Sequence, residues 1–207
     1  MENELRVLCR NVYLGADFNQ LLPARTALSL AQIVANFYRF VLDTRYEERA
    51  QALAREIVAR DPHVVCLQEV FEYQLLGAAA SDAPPSDAPP SDAPPVLSQI
   101  SFLAVLLTQL RAQGAHYVVA GIVPTTAVTL PVQWSGSAAS LNVRDHDVVL
   151  VRSGVVVLES WALKYRAKIT APLPGPTHPD RVELQVQRGF NWVVIDWQQT
   201  QVGIVNT

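Results

Sequence analysis

The fold of this chain is decided where a helix gives way to a buried strand, in the stretch Arg60-Asp61-Pro62-His63-Val64-Val65-Cys66-Leu67-Gln68-Glu69-Val70. Asp61-Pro62 predicts the helix end, because proline restricts the residue before it to extended conformations. The continuously apolar run from Val64 to Leu67 predicts a strand that is covered on both faces. Glu69 follows at the carboxyl end of that strand, where a rigid sheet can hold a carboxylate in place.

A second strand is predicted near the start of the chain, from Leu5 to Val12. Its alternating pattern indicates one shared face for Leu5, Val7, Cys9 and Asn11. Between the two strands, Thr44-Arg45-Tyr46-Glu47 has the form of a capping box and predicts a helix that runs to Arg60. Strand, helix and strand make a βαβ-like unit, so we expect Asn11 and Glu69 at neighbouring strand ends that open on one edge.

The rest of the chain changes from helix to strand. Helical spacing of apolar residues predicts a helix from Leu97 to Arg111, with Gly114 placed to end it. Short segments rich in Val and Ile then predict consecutive antiparallel strands. These segments are Tyr117 to Val123, Asp147 to Val151, Val155 to Leu158, Val186 to Ile195 and Val202 to Val205. The order favours an α/β layered sandwich in a single domain, residues 1–207.

A repeat interrupts this pattern at Ser81 to Pro95, which holds three copies of Ser-Asp-Ala-Pro-Pro. Such residues can join neither an apolar core nor a regular strand ladder. The composition favours a disordered, solvated insertion within a loop, and a ligand for a proline-recognition domain is the alternative.

Charge and hydropathy exclude some classes of partner. The chain has 207 residues, is 50% hydrophobic and carries a formal net charge of -3. This balance gives no general attraction to nucleic acid, so DNA or RNA binding would need a local basic patch. The sequence begins without the pattern of a signal peptide, and its longest apolar stretch, Phe102 to Leu107, is too short to span a bilayer. A cytoplasmic location is expected.

The two cysteines, Cys9 and Cys66, have neither the number of a disulfide scaffold nor the spacing of a zinc site. Cys9 lies two residues before Asn11, whereas Cys66 lies three before Glu69. If Asn11 and Glu69 face one way, alternation along the strands predicts that the two sulfurs face apart and stay reduced.

Polar side chains at strand ends are the candidates for chemistry. Glu69 offers a carboxylate and Asn11 an amide oxygen, both suited to a hard divalent cation. His146 is flanked by Asp145 and Asp147, but in an extended segment it points opposite to both of them. Asp147, at the start of the predicted strand, is a further candidate for a residue that faces the cleft.

Four segments together resemble a known family. They are Arg10-Asn11-Val12-Tyr13-Leu14-Gly15-Ala16-Asp17, the stretch from Arg60 to Val70 quoted above, Asp145-His146-Asp147-Val148-Val149-Leu150-Val151-Arg152 and Gln187-Arg188-Gly189-Phe190. Their order and spacing resemble a bacterial branch of the endonuclease/exonuclease/phosphatase superfamily, which includes DNase I-like nucleases. The resemblance runs from Leu5 to Thr207, apart from the repeat. It implies an incomplete four-layered α/β sandwich, with two β-sheets flanked by helices.

The resemblance also implies a Mg2+-dependent phosphoesterase. Glu69 would bind the metal, with Mn2+ or Ca2+ as alternatives to Mg2+, and Asn11 would support the metal and the phosphate. Arg188 stands where the family often carries a cation near the phosphate, although a surface cation paired with a carboxylate is the alternative. The substrate would be a phosphoester, and its class and the oligomeric state stay open.

Later motifs of the family are not found in this sequence. A His after the pair Asn206-Thr207, a Gly-Asp-x-Asn segment and a Ser-Asp-His segment would complete the site in that family. We therefore expect the chain to be a fragment of an enzyme and to have almost no activity alone. The alternative is a non-catalytic binding protein that keeps half of the scaffold.

Overall fold

A computed structural model describes residues 4–78, 94–174 and 181–207. The elements, in chain order, are β1 (Val7–Asn11), a short 3-10 helix (Phe18–Leu21), α1 (Ala27–Asp43), α2 (Tyr46–Arg60), β2 (Val64–Gln68), β3 (Glu72–Leu76), β4 (Val96–Ser101), α3 (Phe102–Ala112), β5 (Tyr117–Trp134), β6 (Ser137–Arg152), β7 (Val156–Lys164), β8 (Ile169–Pro174), β9 (Arg181–Val186), β10 (Gly189–Trp197) and β11 (Thr200–Asn206). No helix in these ranges is both long and apolar enough to cross a bilayer.

The strands form two sheets. The larger has the order β1-β2-β6-β5-β9-β8, and β3 adds to it by pairing with β6 and with β4. The smaller has the order β11-β10-β7. β1 and β2 are parallel, as the βαβ-like unit predicts, whereas β2 and β6 are antiparallel. A mixed α/β fold with two sheets and helices therefore confirms the predicted fold class.

Helices α2 and α3 cover one face of the large sheet. Ile57 and Leu106 are fully buried against Val65, Leu67 and Leu150 of the strands beneath them. At about 25 cal/mol per Å² of apolar surface, burying each of these side chains contributes roughly 1.5–3 kcal/mol. The sequence between β1 and β2 is thus held firmly, and the carboxyl ends of both strands are fixed at one edge.

The opposite face of the large sheet carries the small sheet and α1 side by side. Val193 of the small sheet packs on Val64 and Val149. Farther along β6, Leu141 and Val143 bury against α1. Both lie an even number of residues before Val149, so alternation places them on the same face. A gap between these two apolar clusters falls at residues 145–147 of β6.

The outer face of the small sheet is exposed. Trp161 and Leu163 of β7 and Val205 of β11 are all more than a third accessible to solvent. Phe190 and Trp192 of β10 lie beside Trp161, with ring centroids 5.6 and 5.8 Å from it. The described residues therefore form a three-layered arrangement in which this last face has no covering helix.

The predicted capping box at Thr44 is wrong. Thr44 is the C-cap of α1, and Arg45 is the N-cap of α2, with a left-handed backbone and no capping hydrogen bond from its side chain. The capping box of this region lies at Thr26 and Ser29, where it starts α1. Helix α1 was not among the predicted elements, although Val34 and Tyr38 mark its buried face at helical spacing.

Other element boundaries also differ from the predictions. Residues 97–101 belong to β4 rather than to the helix, because they pair with β3, with Ile100 opposite Tyr73. The predicted strands at 117–123 and 147–151 extend into one long hairpin, β5 and β6. The strand predicted over 186–195 is broken at Gln187 and Arg188. Residues 81–93 of the predicted insertion lie outside the described residues.

The prediction that the two sulfurs face apart is wrong. Cys9 and Cys66 are direct partners in the parallel register of β1 and β2, and such partners point to the same side of a sheet. The parity argument fails because Asn11 pairs with Gln68 rather than Glu69, and Glu69 leaves the strand at φ 56°. Both cysteines are free thiols in the structure.

Candidate active site at the ends of the parallel strands

The candidate site begins at the carboxyl ends of β1 and β2. Asn11, the last residue of β1, pairs with Gln68, the last residue of β2, and Glu69 follows directly. Glu69 has a left-handed backbone, which is costly for a residue with a Cβ and common at functional sites. The two predicted metal-site residues thus lie at neighbouring strand ends.

The loop that follows β1 contacts the side chains of both Asn11 and Glu69. The Asn11 Oδ1 accepts a hydrogen bond of 2.8 Å from the backbone amide of Tyr13. The Glu69 Oε2 accepts one of 3.4 Å from the next amide, that of Leu14. Asn11 and Glu69 therefore contact consecutive amides of the same loop, and their other lone pairs remain available to a ligand.

Arg49 of α2 holds this loop in place. Its Nη2 donates to the backbone oxygens of Val12 and Tyr13, the latter at 2.7 Å. Its guanidinium also lies 5.4 Å from the centre of the Tyr13 ring. On the other side of the loop, the Tyr73 hydroxyl donates to the Leu14 oxygen at 2.8 Å. Side chains from a helix and from β3 thus fix the amides that face Asn11 and Glu69.

We expect Arg49→Lys to destabilise the protein by about 1–2 kcal/mol, because an ammonium cannot reproduce the planar fork that reaches two carbonyl oxygens. Urea unfolding followed by tryptophan fluorescence measures this. Arg55→Lys, on the exposed side of the same helix, is the matched control and should change stability by less than about 0.5 kcal/mol. Equal effects of the two substitutions would contradict the role of Arg49.

Two buried carboxylates face this region from β6. Asp145 is 2% exposed and Asp147 is fully buried, and both lie on the face of the sheet that carries the small sheet. His146 points the other way, with its Nδ1 3.3 Å from the Val70 oxygen. The expected opposition of His146 to its neighbours is therefore confirmed. Asp147 lies inside β6 rather than at its start.

A bulge in β5 supplies a partner for Asp145. The register between β5 and β6 shifts between Pro124 and Thr126, which leaves Thr125 as the extra residue. The Thr125 hydroxyl donates to the Asp145 Oδ2 at 2.5 Å. The other oxygen of Asp145 and both oxygens of Asp147 make no hydrogen bond of normal geometry. Buried carboxylate oxygens without partners are rare, so a cation or a donor is expected to satisfy them.

Burial raises the pKa values of Asp145 and Asp147. It raises the pKa of Asp145 to about 6, and the negative charges of Asp147 and Glu69 add to this effect. The hydrogen bond from Thr125 and the guanidinium of Arg188 oppose it. Burial also raises the pKa of Asp147, again against the effect of Arg188. Carboxyl groups with raised pKa values in a polar cleft are typical of active sites.

Arg188 brings a positive charge between the carboxylates. Its guanidinium nitrogens lie 4.0 Å from Glu69 Oε1 and 3.9 Å from Asp145 Oδ2. The next residue, Gly189, lets β10 lie close to β7, because a Cβ there would lie 2.4 Å from the Leu163 backbone oxygen. Half of the Arg188 side chain remains exposed, so its outward side can meet an anion from solvent.

Two asparagines join the small sheet to the large one beneath the site. The Asn206 Nδ2 donates to the backbone oxygens of Leu67 at 3.0 Å and Val148 at 3.1 Å, and its Oδ1 accepts from Gln68. The Asn191 Nδ2 donates to the backbone oxygen of Asp147 at 2.9 Å. These bonds fix the two strands that carry Glu69 and Asp147.

The donors around Glu69 suit a hard cation in type but are few in number. Mg2+ prefers carboxylate, amide and water oxygens, and Glu69 and Asn11 provide the first two. Across residues 4–78, 94–174 and 181–207, however, no three His, Cys, Asp or Glu side chains are grouped as a metal site. The described residues therefore fit one side of a Mg2+ site, and most ligand positions would be left to water or substrate.

The structure brings together more residues than the sequence predicts. Glu69 and Asp145 both lie within 4.0 Å of the Arg188 guanidinium. Asp145 and Thr125 were missed as site residues. The alternation of Asp145 with Asp147 was a usable signal, whereas the bulge that positions Thr125 leaves no sequence mark.

Comparison with solved structures finds a distant likeness. No protein-family model matches the sequence, and no curated protein matches it either. The fold is similar to a solved structure of an endonuclease/exonuclease/phosphatase family protein from Leptotrichia buccalis C-1013-b, with 13% sequence identity and a TM-score of 0.45. The match covers 99% of this chain and 54% of that chain, so the chain spans about half the length of that protein. A likeness this distant assigns no activity.

Proposed function

We propose that this chain carries one side of a Mg2+-dependent phosphoesterase site. The observation that carries the proposal is the convergence of Glu69 and Asp145 on the half-exposed guanidinium of Arg188, at the edge where parallel strands end. Carboxylates, a cation and backbone amides that lie close together are the groups that phosphoester hydrolysis uses. The motif resemblance supports the same chemistry.

Each group has a distinct role in this proposal. Arg188 binds and orients the anionic phosphoryl oxygens with its exposed side, because a guanidinium matches their geometry. Asp145 and Thr125 hold Arg188 from behind, since Asp145 lies 3.9 Å from the guanidinium and Thr125 fixes its carboxylate. The buried Asp147 adds negative charge beside them. These residues position substrate and do not themselves form a covalent bond to it.

The proposed metal would be held by Glu69, with Asn11 beside it. A bound Mg2+ would supply Lewis-acid stabilisation of charge on the phosphoryl oxygens. The loop amides of Tyr13 and Leu14 keep the Glu69 and Asn11 oxygens oriented at the strand ends. Mn2+ and Ca2+ prefer the same oxygen donors and could replace Mg2+.

Metal binding tests the proposal directly. We expect Mn2+, added as a paramagnetic probe, to broaden the amide signals of residues 11–14 and 69–70 in a two-dimensional NMR spectrum. Glu69→Gln should abolish this broadening, whereas Glu159→Gln, on the outer face of the small sheet, should leave it unchanged. Failure of millimolar Mn2+ to broaden the signals around Glu69 would refute the proposed metal site.

Turnover by residues 1–207 alone should be close to background. The described part of the chain groups no three metal-binding side chains, and losing one transition-state donor commonly costs about a hundredfold or more in rate. Hydrolysis of a generic phosphodiester with Mg2+, compared between the wild type and Glu69→Ala, measures this. Robust turnover that depends on Glu69 would show that the site is more complete than we propose.

A binding protein without catalysis is the second candidate. The exposed aromatic face of the small sheet favours it, because Trp161, Leu163 and Val205 lie together in solvent. The NMR experiment separates the two candidates. A protein that only binds through this face would show no broadening at Glu69.

A further inference from the structure

We propose that Cys9 and Cys66 form a paired oxidation site, which closes into an intramolecular disulfide when the protein meets a small disulfide such as oxidised glutathione. The proposal is independent of the proposed phosphoesterase function. It rests on the register of two strands and on the different exposure of their two thiols.

The strand register places the Cα atoms of Cys9 and Cys66 close enough for a disulfide between their side chains. Cys9 and Cys66 are direct partners in the parallel pairing of β1 with β2. Neighbouring strands lie about 4.8 Å apart, and disulfides join Cα atoms that are roughly 4.4–6.8 Å apart. The bridge therefore requires rotation of two side chains and little movement of the backbone.

Both sulfurs lie on the same face of the large sheet. Cys66 is buried there with Val64 and Val149, against the small sheet. The side chain of Gln68, on the same face, donates from Nε2 to the Cys9 Sγ at 3.3 Å and also to Asn206 of the small sheet. Cys9 thus shares with Cys66 the side of β1 and β2 that faces the small sheet.

The difference in exposure sets the order of events. Cys9 is exposed, and its neighbour Val7 on the same face is 48% exposed, whereas Cys66 is buried. A reagent in solvent therefore reaches Cys9 first. Cys66 is then the nearest thiol on the adjoining strand and can resolve the product.

The disulfide forms in two successive thiol–disulfide exchanges. The Cys9 sulfur, as thiolate, attacks one sulfur of oxidised glutathione, which forms a mixed disulfide and releases one glutathione thiolate. The Cys66 sulfur loses its proton and attacks the Cys9 sulfur, which forms the Cys9–Cys66 bond and releases the second glutathione. Two cysteine thiols are oxidised, one glutathione disulfide is reduced, and the two thiol protons end on the released glutathiones.

The test uses oxidised glutathione on the native protein, followed by mass spectrometry without reduction. We expect the intact mass to fall by two hydrogen atoms and one cross-linked peptide pair to contain residues 9 and 66. A stable glutathione adduct on Cys9 with Cys66 still free would overturn the proposal. So would a product dominated by disulfides between two chains.

Variants of each cysteine test which thiol reacts first with oxidised glutathione and which thiol then closes the disulfide. Cys66→Ser should stop at the mixed disulfide with one glutathione on Cys9, and Cys9→Ser should remain unmodified in the native state. If Cys66→Ser fails to fold, Cys66→Ala removes the same thiol from the apolar core and gives the same expected adduct. Modification of Cys66 in native Cys9→Ser would contradict the order of attack.

Discussion

Asn206→Ala should lower the free energy of unfolding by about 3 kcal/mol. The buried Asn206 side chain makes three hydrogen bonds that join the small sheet to β2 and β6, and each such bond contributes roughly 0.5–1.5 kcal/mol. The substitution also leaves the Gln68 amide without this partner and opens a small cavity. Urea unfolding of the two proteins, followed by tryptophan fluorescence, measures the difference.

The matched control for this substitution is Asn36→Ala. Asn36 lies on the exposed side of α1, where it accepts one hydrogen bond of 3.2 Å from Arg39. Alanine is a good helix former, so the control should change stability by less than about 0.5 kcal/mol. A loss of less than about 1 kcal/mol in Asn206→Ala would mean that apolar contacts, rather than Asn206, hold the two sheets together.

The sequence predicts best where one physical rule acts alone. The apolar run from Val64 to Leu67 has to be buried on both faces, and Asp61-Pro62 has to end a helix, so β2 and the end of α2 were predicted with nearly correct bounds. Two physical rules apply to residues 97–101 and predict different structures. Their apolar spacing continues that of α3, but the unpaired edge of β3 takes them into a strand.

Some residues of the candidate site also follow from local sequence, whereas others depend on how the strands assemble. Asn11 and Glu69 follow from strands that end in polar residues, which is a local property of the sequence. The approach of Arg188 to Asp145 depends on a break between β9 and β10 and on a bulge in β5, which only the assembled sheets define. The wrong prediction for the cysteines has the same origin, because parity along two strands says nothing until their register is known.

The pH dependence of stability should report the buried Asp145. Its pKa is raised to about 6 in the folded protein, against a value near 3.8 without these surroundings, so the folded state holds this proton more tightly than the unfolded state. Stability linked to Asp145 is therefore fully present below about pH 4 and is lost as the pH rises through about 6. The difference of about 2 between the folded and unfolded pKa values corresponds to about 3 kcal/mol in the free energy of unfolding.

Asp145→Asn removes this titration while keeping an oxygen that can accept from Thr125. We expect the stability of the variant, measured relative to the wild type, to rise by about 3 kcal/mol between about pH 4 and pH 8. Urea unfolding at several pH values in this range measures the change. Because only the difference between two proteins is used, other groups that titrate in both cancel to first order.

Asp61→Asn is a control of opposite sign. A hydrogen bond from Arg152 holds the pKa of Asp61 below its usual value, so stability linked to Asp61 is present above about pH 4 and is lost as the pH falls below it. The stability of Asp61→Asn relative to the wild type should therefore stay flat between about pH 5 and pH 8. The relative stability of Asp145→Asn still rises from about pH 5 in the same range. A flat profile for Asp145→Asn would mean that Arg188 and Thr125 compensate its burial fully, and that Asp145 is an ordinary ionised partner of Arg188.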